Sequence, residues 1–373
     1  MSTFKNHLQS SFIVLMTILT SASCAKHPVE SDIIFESKSV LVGVIRWDAW
    51  YKMENSVSST TTPPAVVEQT LSPEKYHFRA PFFAKIESGK VVLPVISQAL
   101  IDQEILLAKN AGIDYFAYCW YKDDGSGLAE ARKYHNKSSY RKDVKMCAVI
   151  ENGHFSADKE IDGLIAAFSQ DNYQTVLGGR PLVYFFSANS ITATTISKIK
   201  SKAKENNIHD PYFVMMGFSN PSTDAKNTGC EGISKYTSGG SNGIAFSTNA
   251  GYERASWTTF KNTGMQVIPI VTSGWDPRPR IERTDIGWWG TATYCSDCWI
   301  QMATAQEVAN QVGDALDWVK GNKTSCNANS ILIYAWCEND EGGWIAPTIN
   351  DYHNGVLIPE RLNAIAEIIK KHK

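Results

Sequence analysis

Short apolar runs alternate with longer segments of helical periodicity along most of this 373-residue chain. Runs rich in β-branched and aromatic residues predict strands, and the amphipathic segments between them predict helices. The predicted strands are residues 40–47, 113–121, 144–150, 181–186, 212–218, 233–236, 266–272 and 331–336. The predicted helices are residues 98–111, 128–135, 161–168, 196–206, 257–263, 305–319 and 359–371. The strand at 233–236 has the weakest pattern of the set.

This alternation predicts an α/β fold with a parallel sheet, because parallel neighbours need a crossover connection, usually a helix. Eight strand units favour a (β/α)8 TIM barrel over an open doubly wound sheet. A glycine-rich dinucleotide or phosphate loop, which would favour the open form, is not visible. No linker is long enough to divide residues 40–373, so we predict one catalytic domain there.

The first residues have the layout of an export signal: a basic segment, an apolar stretch at residues 12–19 and small residues leading to Cys24. A cysteine in this place resembles a bacterial lipobox, although Ser21 stands where leucine is usual. We expect a lipoprotein-type signal peptide over 1–24, lipidation at Cys24 and a polar linker over 25–39. An ordinary signal peptide cut nearby is the alternative. The expected location is the bacterial outer membrane, on its periplasmic or cell-surface side, with the lipid anchor as membrane contact.

Composition narrows the classes of function. With 36 basic and 38 acidic residues, the net charge of −2 gives no electrostatic reason to expect nucleic acid as a partner. Eleven Trp and fifteen Tyr include rings that suit the apolar faces of sugars, beside those that fill the core. No metal cluster or cofactor motif is visible, so we expect neither. Cys295 and Cys298 form a lone CxxC, which favours a local disulfide or two free thiols over zinc.

Acidic and aromatic side chains follow several predicted strands at their carboxyl ends, where the catalytic groups of a barrel lie. The acids are Asp48, Glu151, Asp276, Glu338 and Glu341. The aromatic residues are Trp47, Trp120, Tyr121, Trp275 and Trp336. Each acid alone also has a structural explanation, since strand-to-helix loops are polar and helix N-termini favour acids. Together they predict a sugar-binding mouth, and paired carboxylates are the usual groups for glycoside hydrolysis.

Three stretches carry a family resemblance: "YAWCENDEGGWIAP" at 334–347, "GWDPRPR" at 274–280 and "EILLAKNAGIDYFAYCWY" at 104–121. They resemble the glycoside hydrolase family 99-like group, which includes endo-α-mannosidases and WbsX-type proteins, with family 71 more distant. The resemblance implies that Glu338 is the base and Glu341 the acid of a retaining reaction through an epoxide-like intermediate.

The chain departs from the family pattern at Cys337, where the family has an asparagine, and a thiol is a poorer hydrogen-bonding group. Asp276 is expected to contact a sugar hydroxyl, and Arg280 to form a structural ion pair or to face the substrate. Glu151 is a candidate third acid or an exposed turn residue. Asp340 is expected to point away and support the turn.

The leading hypothesis is an exported glycoside hydrolase acting on a poly- or oligosaccharide, with an α-mannoside-type substrate favoured. A glycosyltransferase is one alternative, because WbsX-type relatives carry that label. The export signal and the lack of a phosphate loop weigh against it. A glycan-binding lipoprotein without catalysis is the other alternative, which the departure at Cys337 leaves open.

Overall fold

Eight parallel strands form a closed barrel in the computed structural model, which describes residues 39–54, 60–123, 126–151, 155, 158–187, 189, 191–283, 285 and 295–373. In chain order the strands are β1 (Leu41–Arg46), β2 (Tyr115–Cys119), β3 (Lys145–Ile150), β4 (Arg180–Phe186), β5 (Tyr212–Gly217), β6 (Gly232–Lys235), β7 (Gln266–Val267 with Ile270–Thr272) and β8 (Ser330–Tyr334). Every strand pairs in parallel with the next, and β8 returns to β1. The predicted (β/α)8 TIM barrel is therefore confirmed.

The barrel closes through β7, whose two segments pair with different neighbours. Gln266–Val267 pairs with β6, and Ile270–Thr272 pairs with β8. Between the segments, the Ile268 N–H donates to β6 (3.0 Å) and the Pro269 carbonyl accepts from β8 (2.9 Å). Proline has no N–H to donate, so it occupies a position where only its carbonyl is needed.

Helices cover the barrel between the strands. Among the described residues they are α1 (Pro63–Leu71), α2 (Gln98–Asn110), α3 (Glu130–Lys137), α4 (Asp158–Phe168), α5 (Ala193–Glu205), α6 (Ser222–Thr228), α7 (Phe246–Lys261), α8 (Arg278–Ile281), α9 (Ala305–Gly321) and α10 (Glu360–His372). The helix predicted at 257–263 is only the end of α7, because buried Asn249 and Glu253 interrupt its apolar spacing. The sequence pattern also missed α1, α6 and α8. No helix in the described ranges is long and apolar enough to cross a bilayer.

Hydrogen-bonded hydroxyls tie three strands together inside the barrel. Tyr115 on β2 contacts the hydroxyls of Tyr184 on β4 (2.8 Å) and Ser330 on β8 (2.9 Å). Gly43 on β1 leaves room for this network, because a Cβ there would lie 2.1 Å from the Tyr115 ring. All three hydroxyls are buried, so each needs the partner it finds here.

The described cysteines form one disulfide and leave five free thiols. Cys295 and Cys298 form a disulfide, which is the first of the two alternatives. The other cysteines in the described part of the chain are free and buried: Cys119, Cys147, Cys230, Cys326 and Cys337. The signal peptide predicted at 1–24, with Cys24, and the linker up to residue 38 lie outside the described residues. They stay predictions.

Candidate active site

A tight turn after β8 carries the three acids of the ENDEGG stretch. Cys337–Glu338 pairs antiparallel with Gly343–Trp344, and Asn339–Glu341 forms a 3-10 turn between them. Gly342 ends the turn with a φ of 83°, in the left-handed region that favours glycine. A Cβ at Gly342 would also lie 2.5 Å from the backbone nitrogen of Asp276. Glycine at this position therefore permits both the turn and the close approach of the loop after β7.

The loop after β7 packs directly on this turn. The Asp276 N–H donates to the carbonyl oxygen of Glu341 (2.5 Å). A Cβ at Gly274 would lie 2.1 Å from the carbonyl oxygen of Gly342, so a side chain there would push the two segments apart. The GWDPRPR and ENDEGG stretches thus form one structural unit at the carboxyl end of the barrel.

Arg280 on α8 faces all three acids of the turn. Its Nε and Nη2 bind the two carboxylate oxygens of Asp340 (2.7 and 2.9 Å), and its Nη1 contacts Glu341 Oε1. Its Nη2 also lies 3.8 Å from Glu338 Oε2. The Asp340 side chain has no exposed area, so it points into the protein and supports the turn. One guanidinium is thereby shared among three carboxylates, which gives the site an excess of negative charge.

Tyrosines donate hydrogen bonds to both candidate catalytic glutamates. The Tyr236 hydroxyl donates to Glu338 Oε1 (2.8 Å), and the Tyr334 hydroxyl donates to Glu341 Oε2 (2.7 Å). Burial raises the pKa of Glu338 well above its ordinary value, and the neighbouring charge of Glu341 raises it further, against the opposing charge of Arg280. The protonated form of Glu338 is therefore favoured in this arrangement.

Asp276 is engaged by two arginines. Arg79 binds its Oδ2, and Arg278 binds both of its carboxylate oxygens (2.7 and 2.8 Å). Burial raises the pKa of the Asp276 carboxyl, but the hydrogen bonds and charges of Arg278 and Arg79 outweigh burial and hold the pKa below its ordinary value. Its carboxylate therefore serves to hold the loop after β7, and a direct sugar contact by Asp276 stays a prediction.

A hydrogen-bonded row joins the ends of β1, β2 and β3. Trp47 Nε1 donates to the Tyr121 hydroxyl (3.0 Å), which donates to Glu151 Oε2 (2.8 Å). The Arg280 guanidinium lies over the Trp47 ring, 5.3 Å from its centroid, which links the row to the acids of the turn. These residues were all predicted to line the site, and the structure brings them together. Glu151 is half-buried, so it is not a fully exposed turn residue.

Two more predicted tryptophans lie near the carboxyl ends of their strands. The Trp275 ring centroid is 6.0 Å from that of Tyr334, which donates a hydrogen bond to the candidate catalytic residue Glu341. Trp120 is half-buried, and the Arg132 guanidinium lies 3.7 Å from its ring centroid. One face of the Trp120 ring is therefore already covered by a cation. Sugar contacts by either residue stay predictions.

The predicted substrate contacts of Asp48 and Trp336 are wrong, because neither side chain reaches the mouth of the barrel. The Asp48 carboxylate accepts from Arg46 Nε (2.8 Å), and Trp336 Nε1 donates to Glu104 on α2 (2.7 Å). Arg46 also binds Glu104 (2.9 Å), so these four side chains form one buried cluster between the barrel and α2. Successive residues of a strand point to opposite faces, which sends Arg46 and Asp48 outward while Trp47 points to the site. Trp336 has no exposed area, so a sugar contact is excluded.

Burial raises the pKa of Asp48 to about 6, against the opposing charge of Arg46. Asp48 is thus a buried partner of Arg46 with a perturbed acidity, and its role is structural.

Cys337, where the chain departs from the family pattern, has its own hydrogen bond. Its thiol donates to the carbonyl oxygen of Trp47 (2.9 Å). The thiol therefore fastens the end of β8 to the end of β1, directly before Glu338. Sequence reasoning also missed Tyr236 and Tyr334. The available signal was their position as tyrosines at the carboxyl ends of predicted strands.

Comparison with known proteins shows similarity in fold. No protein-family model and no curated protein sequence matches the chain. The chain is similar to two solved structures of the GH99 endo-α-mannosidase from Bacteroides thetaiotaomicron, one of them in complex with Bis-Tris-propane. Both are 15% identical to it with a TM-score of 0.52; they cover 88% and 89% of this chain and 97% and 98% of theirs. The chain has the barrel of these glycoside hydrolases over almost its whole length. The resemblance to family 99 is confirmed at the level of the fold.

Proposed function

We propose that this protein is a glycoside hydrolase and that Glu338 and Glu341 are its catalytic pair. The observation that carries the proposal is the geometry of these two carboxylates. They are three residues apart at the carboxyl end of β8, nearly buried, and each accepts a hydrogen bond from a tyrosine. Two such groups in one site can protonate the leaving oxygen and assist attack at the sugar. The fold shared with glycoside hydrolases supports the same conclusion.

The roles of the two glutamates have two possible assignments. The family resemblance implies Glu338 as base and Glu341 as acid. The raised pKa of Glu338 favours the reverse, because a general acid must hold a proton at the working pH. An activated aryl glycoside separates them, since a good leaving group does not need protonation. The Gln variant of the acid should keep activity on that substrate, and the Gln variant of the base should lose it.

The proposed substrate is an oligo- or polysaccharide with α-linked mannose. The family resemblance favours it, and the two similar structures are described as endo-α-mannosidases. We also propose export through residues 1–24 and lipidation at Cys24, which would place the site where extracytoplasmic glycans are available. Radiolabelled palmitate should enter the wild type and not a Cys24→Ala variant. Incorporation into both would contradict lipidation at this cysteine.

The test of the enzyme is a panel of α-linked glycans, with mannans foremost, incubated with purified wild type, Glu338→Gln and Glu341→Gln. We expect each variant to lose about 10²–10⁴-fold in kcat/KM on unactivated glycans. Glu360→Gln is the matched control, because Glu360 is a mostly exposed glutamate at the start of α10. Activity that survives both site substitutions would contradict the assignment. Binding of a glycan without cleavage by the wild type would instead support a glycan-binding protein.

A further inference from the structure

Phe218 exposes an aromatic ring at the same end of the barrel as the catalytic pair. It follows directly after β5, and 61% of its surface is exposed. Scattered exposed apolar residues are normal on protein surfaces. Exposure alone therefore does not assign a function to Phe218.

Two other aromatic rings, those of Phe186 and Tyr236, lie in order beside Phe218. Phe218 lies edge-on to Phe186, the last residue of β4, with ring centroids 5.3 Å apart. Phe186 lies 4.5 Å from Tyr236, which follows β6, and Phe218 is 6.5 Å from the same tyrosine. Three consecutive strands, β4, β5 and β6, thus each contribute one ring to an aromatic wall.

The inner end of this wall is in contact with the catalytic pair. Tyr236 donates its hydroxyl hydrogen to Glu338 Oε1 (2.8 Å) and is only 7% exposed. Exposure therefore rises from Tyr236 through half-buried Phe186 to Phe218 at the outer edge. A sugar held at Glu338 would have the wall beside it, and the next sugar of a chain would reach the exposed ring.

We propose that Phe218, backed by Phe186, stacks on the pyranose ring next to the one held at Glu338 and so forms a second sugar subsite. Phenylalanine has no polar atom on its ring, so it recognises the apolar face of a sugar and not the pattern of its hydroxyls. The subsite makes the enzyme prefer glycans of two or more units. This inference rests on the proposed function and names the substrate length that the site selects.

The test compares short and long substrates on Phe218→Ala. The substrates are α-mannosyl fluoride, whose single sugar ring fills only the site at Glu338, and α-linked mannose oligosaccharides of increasing length. We expect kcat/KM to fall about tenfold on the oligosaccharides and to stay unchanged on the fluoride. Phe218→Trp keeps a flat ring and should retain the preference for length, whereas Phe218→Leu should lose it. Tyr252→Ala is the control, because Tyr252 is 66% exposed on α7 and lies outside the aromatic wall.

Each outcome supports or overturns the inference. Equal losses of kcat/KM on short and long substrates would mean that Phe218 acts through Tyr236. Unchanged kcat/KM in Phe218→Ala on every substrate would mean that Phe218 has no role. Either result overturns the second subsite. If the wild type binds glycans without cleaving them, affinities by calorimetry replace kcat/KM, and the same dependence on length is required. A wild type that neither cleaves nor binds any glycan of the panel overturns the proposed function together with the inference. If the wild type is equally active on short and long substrates, the proposed function stands and the second subsite is refuted.

Discussion

Tyr236→Phe removes the hydrogen bond that the Tyr236 hydroxyl donates to Glu338, together with a longer contact to the Cys119 thiol (3.5 Å). The bond is 2.8 Å long, and the two residues are 7% and 3% exposed, so water cannot easily replace the lost donor. A hydrogen bond to a charged group contributes about 1.5–3 kcal/mol. Because the donor stabilises the carboxylate form, its loss should raise the pKa of Glu338. A hydrogen bond to the neutral carboxyl would contribute about 0.5–1.5 kcal/mol, so the two forms of Glu338 differ by about 1–1.5 kcal/mol. At about 1.4 kcal/mol for each pKa unit, the expected rise is about one unit.

The assay is the pH dependence of kcat/KM on an oligosaccharide that the wild type cleaves. If Glu338 is the base, its carboxylate form is the active one, and the acidic limb of the profile should move upward by about one pH unit. If Glu338 is the acid, the alkaline limb should move upward by the same amount. The limb that moves therefore identifies the role of Glu338, independently of the aryl-glycoside experiment.

The control for Tyr236→Phe is Tyr115→Phe. It also removes a buried hydroxyl, but one that binds Tyr184 and Ser330 inside the barrel. We expect lower stability and unchanged pH limbs for this control. A Tyr236→Phe variant that keeps the wild-type melting curve and both pH limbs would refute the reasoning, because the hydrogen bond would then have no effect on Glu338.

Three further predictions concern stability. Arg280→Met leaves the buried Asp340 carboxylate without its bidentate partner and should lower the free energy of unfolding by about 3–5 kcal/mol in urea titrations; a loss under about 1 kcal/mol would contradict this. Gly274→Ala, whose Cβ would lie 2.1 Å from a carbonyl oxygen, should lower both stability and kcat/KM, whereas Gly163→Ala in helix α4 has open space and should stabilise the protein by about 0.5–1 kcal/mol. Burial lowers the pKa of His135 from 6.5 to about 4. Between these two pH values the imidazole is protonated in the unfolded chain and neutral in the folded protein. The free energy of unfolding should then fall by about 3 kcal/mol between pH 6.5 and pH 4, more steeply than in His135→Gln. Equal slopes of the free energy of unfolding against pH in the two proteins would contradict this prediction.

The barrel could be predicted from the sequence because its strands are buried on both faces. Such strands appear as continuous apolar runs, and even the weak run at 233–236 proved to be a strand, Gly232–Lys235. Helix α7 shows where this approach fails. Its buried face includes Glu253, which accepts from the backbone and side chain of Thr272 (2.9 and 2.6 Å), and no apolar periodicity can reveal a buried carboxyl group with such partners.

The candidate site was predictable only in part, for a similar reason. Glu338 and Glu341 stand out because they follow directly on an apolar strand. Tyr236 contacts Glu338 across 102 residues of sequence, so its position at the end of a predicted strand indicated the region of the site but not this partner. Trp336 was predicted to line the mouth of the barrel because the sequence does not determine to which face a side chain points where a strand ends. In the structure its indole N–H donates to Glu104 on α2, so the ring points away from the mouth.

The pairing of the first barrel strand with the last has a consequence for folding. The register aligns Leu41 on β1 with Ser330 on β8, so the barrel cannot close until almost the whole domain has been synthesised. Contacts between such distant segments form slowly, and until then β1 has an unpaired edge that can pair with other chains. The Cys337 thiol, directly before Glu338, binds the carbonyl oxygen of Trp47 after β1, and this contact forms only with this closure. Recovery of hydrolytic activity during refolding should therefore coincide with barrel closure and lag behind the formation of helices.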